Sequence, residues 1–260
     1  MKRSILLLLP LLVIPLSGFA LTPEQQGLEI ATEVDRRDTG FHDFRADMTM
    51  LLRNRHGEES LRHMSTKVLE VDGDGDKTLI IFDRPRDVKG TALLTYSHKT
   101  GQDDQWLYLP ALKRVKRINS RNKSGPFMGS EFAYEDLASQ EVEKYSYKFL
   151  REERLGDIDT LVNERDPVDP NSGYTRQEVW IDKARMIPLK IDFYDRKNSR
   201  LKTLEFRGYQ QYLGQFWRAD EMFMQNHQTG KSTLLTWQKY QFRSGLKPSD
   251  FGKNSLKRAR

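Results

Sequence analysis

The sequence predicts a mainly β chain, an antiparallel meander of about eleven short strands that curls into a barrel or partial barrel. Three observations carry this. After one N-terminal helical stretch, the apolar residues recur with period two rather than 3.6. Turn-forming groups such as His56-Gly57, Lys99-Thr100-Gly101, Asn171-Ser172-Gly173 and Thr229-Gly230 separate the runs at hairpin spacing. Ten Tyr, 13 Phe and 4 Trp in 260 residues are too many aromatics for a disordered chain and enough for a large core.

The first element is not part of that fold. Lys2 and Arg3 precede a short apolar run broken by Pro10 and Pro15, and Gly18 and Ala20 supply small residues at its end. This is the pattern of a secretory signal peptide over residues 1–20, too short for a comfortable membrane span. The mature chain is expected to begin near Leu21 and to be exported. The whole chain carries a formal charge of +6, from 43 Lys and Arg against 37 Asp and Glu; loss of Lys2 and Arg3 lowers it to +4. Nucleic acid is not expected as a partner of an exported protein. Anionic headgroups or an acidic protein surface suit the charge better. The absence of Cys excludes disulfides, thiolate metal sites, a cysteine nucleophile and the acylated cysteine of a bacterial lipoprotein.

Thr22-Pro23-Glu24 opens a helix with a capping residue and a proline at its first position, and Leu28, Ile30, Ala31 and Val34 give its apolar stripe. Strands are expected over residues 44–52, 61–71, 78–82, 92–96, 105–109, 145–150, 174–181, 188–194, 201–209, 216–225 and 233–242. Residues 117–143 break the alternation and are long enough for a functional loop or short helical lid.

Little in the chain points to catalysis. Asp72-Gly73-Asp74-Gly75-Asp76 lacks the glycine and glutamate that a calcium loop needs at its sixth and twelfth positions, so a solvated turn is expected. The histidines form no HExxH pattern, and no nucleophile elbow, phosphate loop or dinucleotide fingerprint is present. No metal, cofactor or catalytic residue is assigned. The basic run Lys113, Arg114, Lys116, Arg117, Arg121 and Lys123 contains no acid. It reads either as a solvated loop or as a surface that holds an anionic headgroup or docks a partner. Same-face stripes such as Trp106 with Tyr108 fill a core in most β proteins. In a curled sheet with one helix, the concave face needs either a lid or an apolar ligand to cover it.

Three segments, read together, resemble a known family. They are residues 82–94, beginning Phe82-Asp83-Arg84-Pro85; residues 105–118, Gln105-Trp106-Leu107-Tyr108-Leu109-Pro110 through Ile118; and residues 129–137, Gly129-Ser130-Glu131-Phe132-Ala133-Tyr134-Glu135-Asp136-Leu137. Their order and spacing, with the later Val179-Trp180-Ile181-Asp182 and Ile187-Pro188-Leu189-Lys190, resemble the LolA-like outer-membrane lipoprotein-sorting family, in the branch associated with RND/MMPL-type exporters. The resemblance implies a single domain over residues 21–260, a half-barrel with a lid, and a hydrophobic cavity that shields acyl chains in the periplasm. It implies no catalytic residues and no enzyme activity. It makes a lipid or lipidated protein the expected cargo, and an RND/MMPL-type inner-membrane transporter with peripheral membrane contact the expected partner. Trp106, Tyr108, Phe127, Met128, Phe132 and Tyr134 are then expected at the cavity or lid, and the six cations at a headgroup or docking site. Met48, Met50, Met128, Met222 and Met224 would suit an adaptable cavity wall. The other reading of the same fold is a periplasmic sensor that binds lipids or lipoproteins and signals through a protein. The chain departs from classical LolA in its length and basic central segment, and from membrane-anchored LolB in lacking the acylated cysteine.

Overall fold

A computed structural model describes residues 20–258, so the signal-peptide-like stretch lies outside the described residues apart from Ala20. The helix predicted after Thr22 is α1 (Pro23–Asp38). The Thr22 hydroxyl accepts from the Gln25 N–H at 3.2 Å, and the Gln25 side chain accepts the Thr22 N–H in return at 2.9 Å. Two donors that a helix start leaves orphaned are thereby satisfied. Among the described residues no helix is long and apolar enough to cross a membrane.

The remainder is one open antiparallel sheet of 13 strands. Strands β1 (Asp43–Arg53), β2 (Glu59–Leu69), β3 (Lys77–Arg84), β4 (Ala92–Tyr96), β5 (Asp104–Leu109) and β6 (Arg114–Ile118) run out from the centre to one edge. The chain then crosses to the opposite edge. From there β7 (Tyr145–Leu155), β8 (Ile158–Pro167), β9 (Tyr174–Asp182), β10 (Pro188–Asp195), β11 (Arg200–Tyr212), β12 (Phe216–Asn226) and β13 (Ser232–Phe242) return to pair with β1. The sheet does not close, because β6 and β7 are its two edges. Residues 119–144 join those edges and must therefore traverse the face between them.

Two strands were not anticipated. The first, β6, takes residues 114–118 out of the expected basic loop. The second, β8, is hidden by Asp159, Asn163, Glu164, Arg165 and Asp166, which leave only Ile158, Leu161 and Val162 as apolar markers. The anticipated lid is a crossover built from single 3-10 turns at Ser120–Asn122, Phe127–Gly129, Tyr134–Leu137 and Val142–Lys144, not from an α-helix.

Register determines what fills the inner face. Met48 pairs with Met64 and Met50 with Leu235. These residues join Phe82, Leu93, Ile181, Phe193, Leu204 and Met224 in one buried cluster that also contains Ile30 of α1 and Phe127 and Phe132 of the crossover. Helix and crossover together thus cover the concave side. α1 lies closest at Gly27, where a Cβ would come within 2.7 Å of the Lys148 and Phe149 backbone nitrogens and of Asn163 Oδ1, so only glycine permits this approach. A second cluster occupies the outer face of β3–β5. There Leu246, Phe251 and Leu256, from the C-terminal turn and the short helix α2 (Lys253–Arg258), pack on Leu79, Leu94 and Trp106.

Candidate functional site

The crossover and the inner face beneath it form the candidate site. Phe127 and Phe132 are 0% and 2% exposed, respectively, and Met128, Tyr134 and Leu137 pack against the same cluster. The rings of Phe127 and Phe82 lie 5.7 Å apart, and Tyr134 meets Phe127 edge-on at the same separation. Four of the six apolar residues singled out in the sequence, Phe127, Met128, Phe132 and Tyr134, are thus brought together. The methionines Met48, Met50, Met128, Met222 and Met224 all join this cluster.

Trp106 and Tyr108 require a correction. Along β5 their side chains point to the outer face, where Trp106 is packed with Leu246, Phe251 and Leu256 and Tyr108 lies beside it. It is the intervening Leu107, with Leu109, that faces the crossover. The period-two pattern identified two faces correctly, but the larger side chains lie on the convex one.

Many partly buried polar contacts strap the crossover down, among them those of Gln105 to the Tyr134 carbonyl, Glu131 N–H to Thr233, Ser139 N–H to Ser97 and Lys144 to Asp103. Lys202 of β11 donates from Nζ to Asp136 Oδ2 at 2.6 Å and to the Glu131 carbonyl at 2.9 Å. Tyr174 of β9 donates its hydroxyl to Asp136 Oδ1 at 2.8 Å, and the Ala133 N–H completes the carboxylate's set at 2.6 Å. Burial beside Asp136 and Glu135 holds the Tyr174 phenol well above its usual range. Glu135 accepts from Ser172 Oγ and the Gly173 N–H, both at 2.8 Å, and burial pushes its carboxyl up. At the tip, Met128 and Gly129 both adopt positive φ, 49° and 79°. Arg62 of β2 donates to the Met128 carbonyl at 2.5 Å and Asn226 donates to Glu131 Oε2 at 2.6 Å, which fixes this tight turn. None of these straps was read from the sequence. Lys202 carried a signal, since it shares the inward phase of Leu204 and Phe206, where a charge is costly without a partner.

The six cations divide. Arg117 points outward and pairs with Asp104, and Lys123 is held by Asp169 at 2.7 Å. Lys113, Arg114, Lys116 and Arg121 make no ion pair among the described residues and are exposed. Lys116 and Arg121 line a pocket of about 450 Å³ between the β5–β6 edge and the crossover, with Leu107, Leu109, Ile118 and Tyr134 as its apolar wall.

On the far side of the crossover, the acidic run at the β2–β3 turn is only partly solvated. Asp74 pairs with His98 Nδ1 at 2.8 Å, which holds its carboxyl at about 2. Asp76 is pushed up to about 7 by burial, and Glu141, Glu70 and Asp38 add to the effect. Among the described residues no group of His, Asp and Glu is placed to hold a metal ion.

A domain from Vibrio parahaemolyticus, described as a candidate outer membrane lipoprotein-sorting protein, matches with 59% identity and a TM-score of 0.89, over 90% of this chain and 99% of that one. The chain belongs to the LolA-like outer-membrane lipoprotein-sorting family. A DUF1329 family protein from Desulfovibrio piger matches this LolA-like chain at 30% identity and a TM-score of 0.86, over 91% of it and all (100%) of the other. A LolA superfamily protein from Nitrosomonas europaea shares the fold, with a TM-score of 0.71 at 20% identity over 91% of this chain and 100% of that one. A family model described only as "-like: Uncharacterized protein" matches residues 74–258. Comparison with curated proteins gives no match.

Proposed function

We propose that this chain is an exported carrier that shields the acyl part of a lipid or lipoprotein between two membranes. The supporting observation is the construction of the inner face. It is apolar along most of the sheet, methionine-rich, and covered by a crossover that has no α-helix of its own. Each buried methylene is worth about 0.8 kcal/mol, so an acyl chain crosses water slowly unless escorted. A carrier must also release its cargo, which favours an adaptable wall over a rigid one. The lipoprotein-sorting description of the Vibrio parahaemolyticus domain, at 59% identity, supports the same cargo class.

The rest of the proposal is location and partner. Residues 1–20 have the pattern of a cleaved signal peptide, which would deliver the carrier to the periplasm. An RND/MMPL-type inner-membrane transporter, or the outer membrane, is the proposed exchange partner, on the resemblance of residues 82–94, 105–118 and 129–137. Vesicles carrying a fluorescent diacyl lipid or a lipopeptide, mixed with unlabelled acceptor vesicles, test the carrier reading. Transfer that accelerates in proportion to protein concentration is expected. Cargo that is bound but never delivered would contradict the carrier and favour the sensor; no binding at all would contradict both.

A further inference from the structure

The pocket at the β5–β6 edge has a chemistry that the rest of the inner face lacks. Residues opposite one another across a strand pair share a face, so Arg114 opposite Leu109, Lys116 opposite Leu107 and Ile118 opposite Gln105 all lie on the inner side. Two cations therefore point to the same side as two leucines. Arg121, at the start of the crossover, joins Lys116 on the pocket wall. Neither has a carboxylate within ion-pair distance among the described residues, whereas their neighbours Arg117 and Lys123 both do. The outer residues of the strand are accounted for separately, as Val115 packs into the outer cluster.

We propose that this pocket binds a single-chain anionic amphiphile, with the alkyl chain against Leu107, Leu109 and Ile118 and the anionic head held by Lys116 and Arg121. The inference rests on the carrier reading and narrows the substrate class of that site. Shape favours a single chain. The space is a groove of about 450 Å³, open to solvent along the β5–β6 edge, and its apolar wall is short because Leu107 and Ile118 are themselves largely buried. One alkyl chain laid along that wall fits it better than the paired chains of a diacyl lipid. Charge sets the head. Two unpaired cations beside an apolar wall complement a carboxylate or a phosphate monoester or diester, and do not complement a neutral or zwitterionic head as well.

The test is titration of the purified full chain, below the micelle threshold, with palmitate, a lysophosphatidylglycerol, a neutral monoacylglycerol, a diacyl phosphatidylglycerol and inorganic phosphate alone. Palmitate and the lysolipid should each bind one to one, and comparing them shows which headgroup is preferred. The neutral analogue should bind about tenfold or more weakly, in line with the loss of charge-assisted hydrogen bonds. Lys116→Ser with Arg121→Ser should weaken the anionic ligands to the level of the neutral one. Lys116→Glu with Arg121→Glu should reverse the preference toward dodecyltrimethylammonium, a change that a purely structural role would not produce.

Unchanged palmitate affinity in the double Ser variant would overturn the proposal and leave the inward cations as guards against edge-to-edge pairing of β6. Binding of phosphate alone as tight as the lysolipid would overturn it as well, by making the pocket an anion site with no role for the chain. If single-chain ligands fail but diacyl lipid or lipopeptide is still transferred, this proposal falls and the carrier stands; if no acyl compound binds, both fall.

Discussion

The replacement Lys202→Met tests how firmly the crossover belongs to the fold. The Lys202 and Asp136 side chains are 4% and 5% exposed, and their atoms meet at 2.6 Å. The ammonium also lies 5.2 Å from the Tyr174 ring centroid and 5.1 Å from that of Phe193. Methionine fills much of the lysine's volume, so the perturbation is chiefly electrostatic. Asp136 keeps the Ala133 N–H and the Tyr174 hydroxyl but loses its counter-charge. Breaking one partner of a buried pair costs about 3–5 kcal/mol, mostly from the charge left behind. For a chain of this length that corresponds to a fall in Tm on the order of 10 °C. Because Phe127 and Phe132 share a cluster with the strands, the loss should appear as one cooperative transition, not as early release of the crossover. Adding Asp136→Asn removes the orphaned charge and should recover about half of the loss or more. Thermal and urea unfolding of the wild type, both single variants and the double variant, followed by circular dichroism and tryptophan fluorescence, give the coupling directly. A loss below about 1 kcal/mol for Lys202→Met, or a double variant as unstable as the two singles summed, would refute the reasoning.

Other consequences follow from the same contacts. Trp106→Ala should cost about 3–5 kcal/mol, because the indole is buried under the C-terminal segment. It should leave acyl-probe affinity within twofold, since the side chain is on the outer face; a folded variant that has lost probe binding would contradict that placement. Arg62→Met removes the donor to the Met128 carbonyl and should cost about 1–2 kcal/mol. It should also speed both protease cleavage near residues 127–129 and probe entry, measured by limited digestion and stopped-flow fluorescence. Asp76 carries a pH term. Its carboxyl titrates near 7 in the fold against an ordinary 3.8, so the native state holds the proton more tightly than the unfolded chain does. The resulting stabilisation is complete below the unfolded value and is lost as pH rises through about 7. Asp76→Asn should therefore raise Tm at pH 8 and leave a smaller difference at pH 5, and a Tm difference independent of pH would rule this out.

Periodicity revealed most strands because one face of each is apolar, and it located the crossover as the stretch where alternation stops. Phe127, Met128, Phe132 and Tyr134 were legible for that reason. Periodicity cannot say which face of a sheet is concave, and here both faces are covered. Trp106 and Tyr108 read from the sequence as cavity wall because the outer cover, Leu246 with Phe251 and Leu256, comes from a C-terminal stretch with no strong pattern of its own. β8 stayed hidden because its inward Asn163 meets the Gly27 carbonyl of α1 at 2.9 Å, a polar contact where an apolar residue would be expected. The basic run looked uniform because ion pairs between Arg117 and Asp104, and between Lys123 and Asp169, depend on neighbours brought together only by folding. Family resemblance supplied the half-barrel, which composition and spacing alone left as either a barrel or a partial barrel.

Native mass spectrometry of the protein purified from its own cell envelope, followed by organic extraction, tests the central claim most directly. The carrier account expects a fraction of molecules to hold one acyl-bearing compound of defined mass, lost when Phe127→Ala opens the covered face. Protein that is uniformly empty, and that also fails to take up acyl probes added afterwards, would contradict it and make the inner face a filled core.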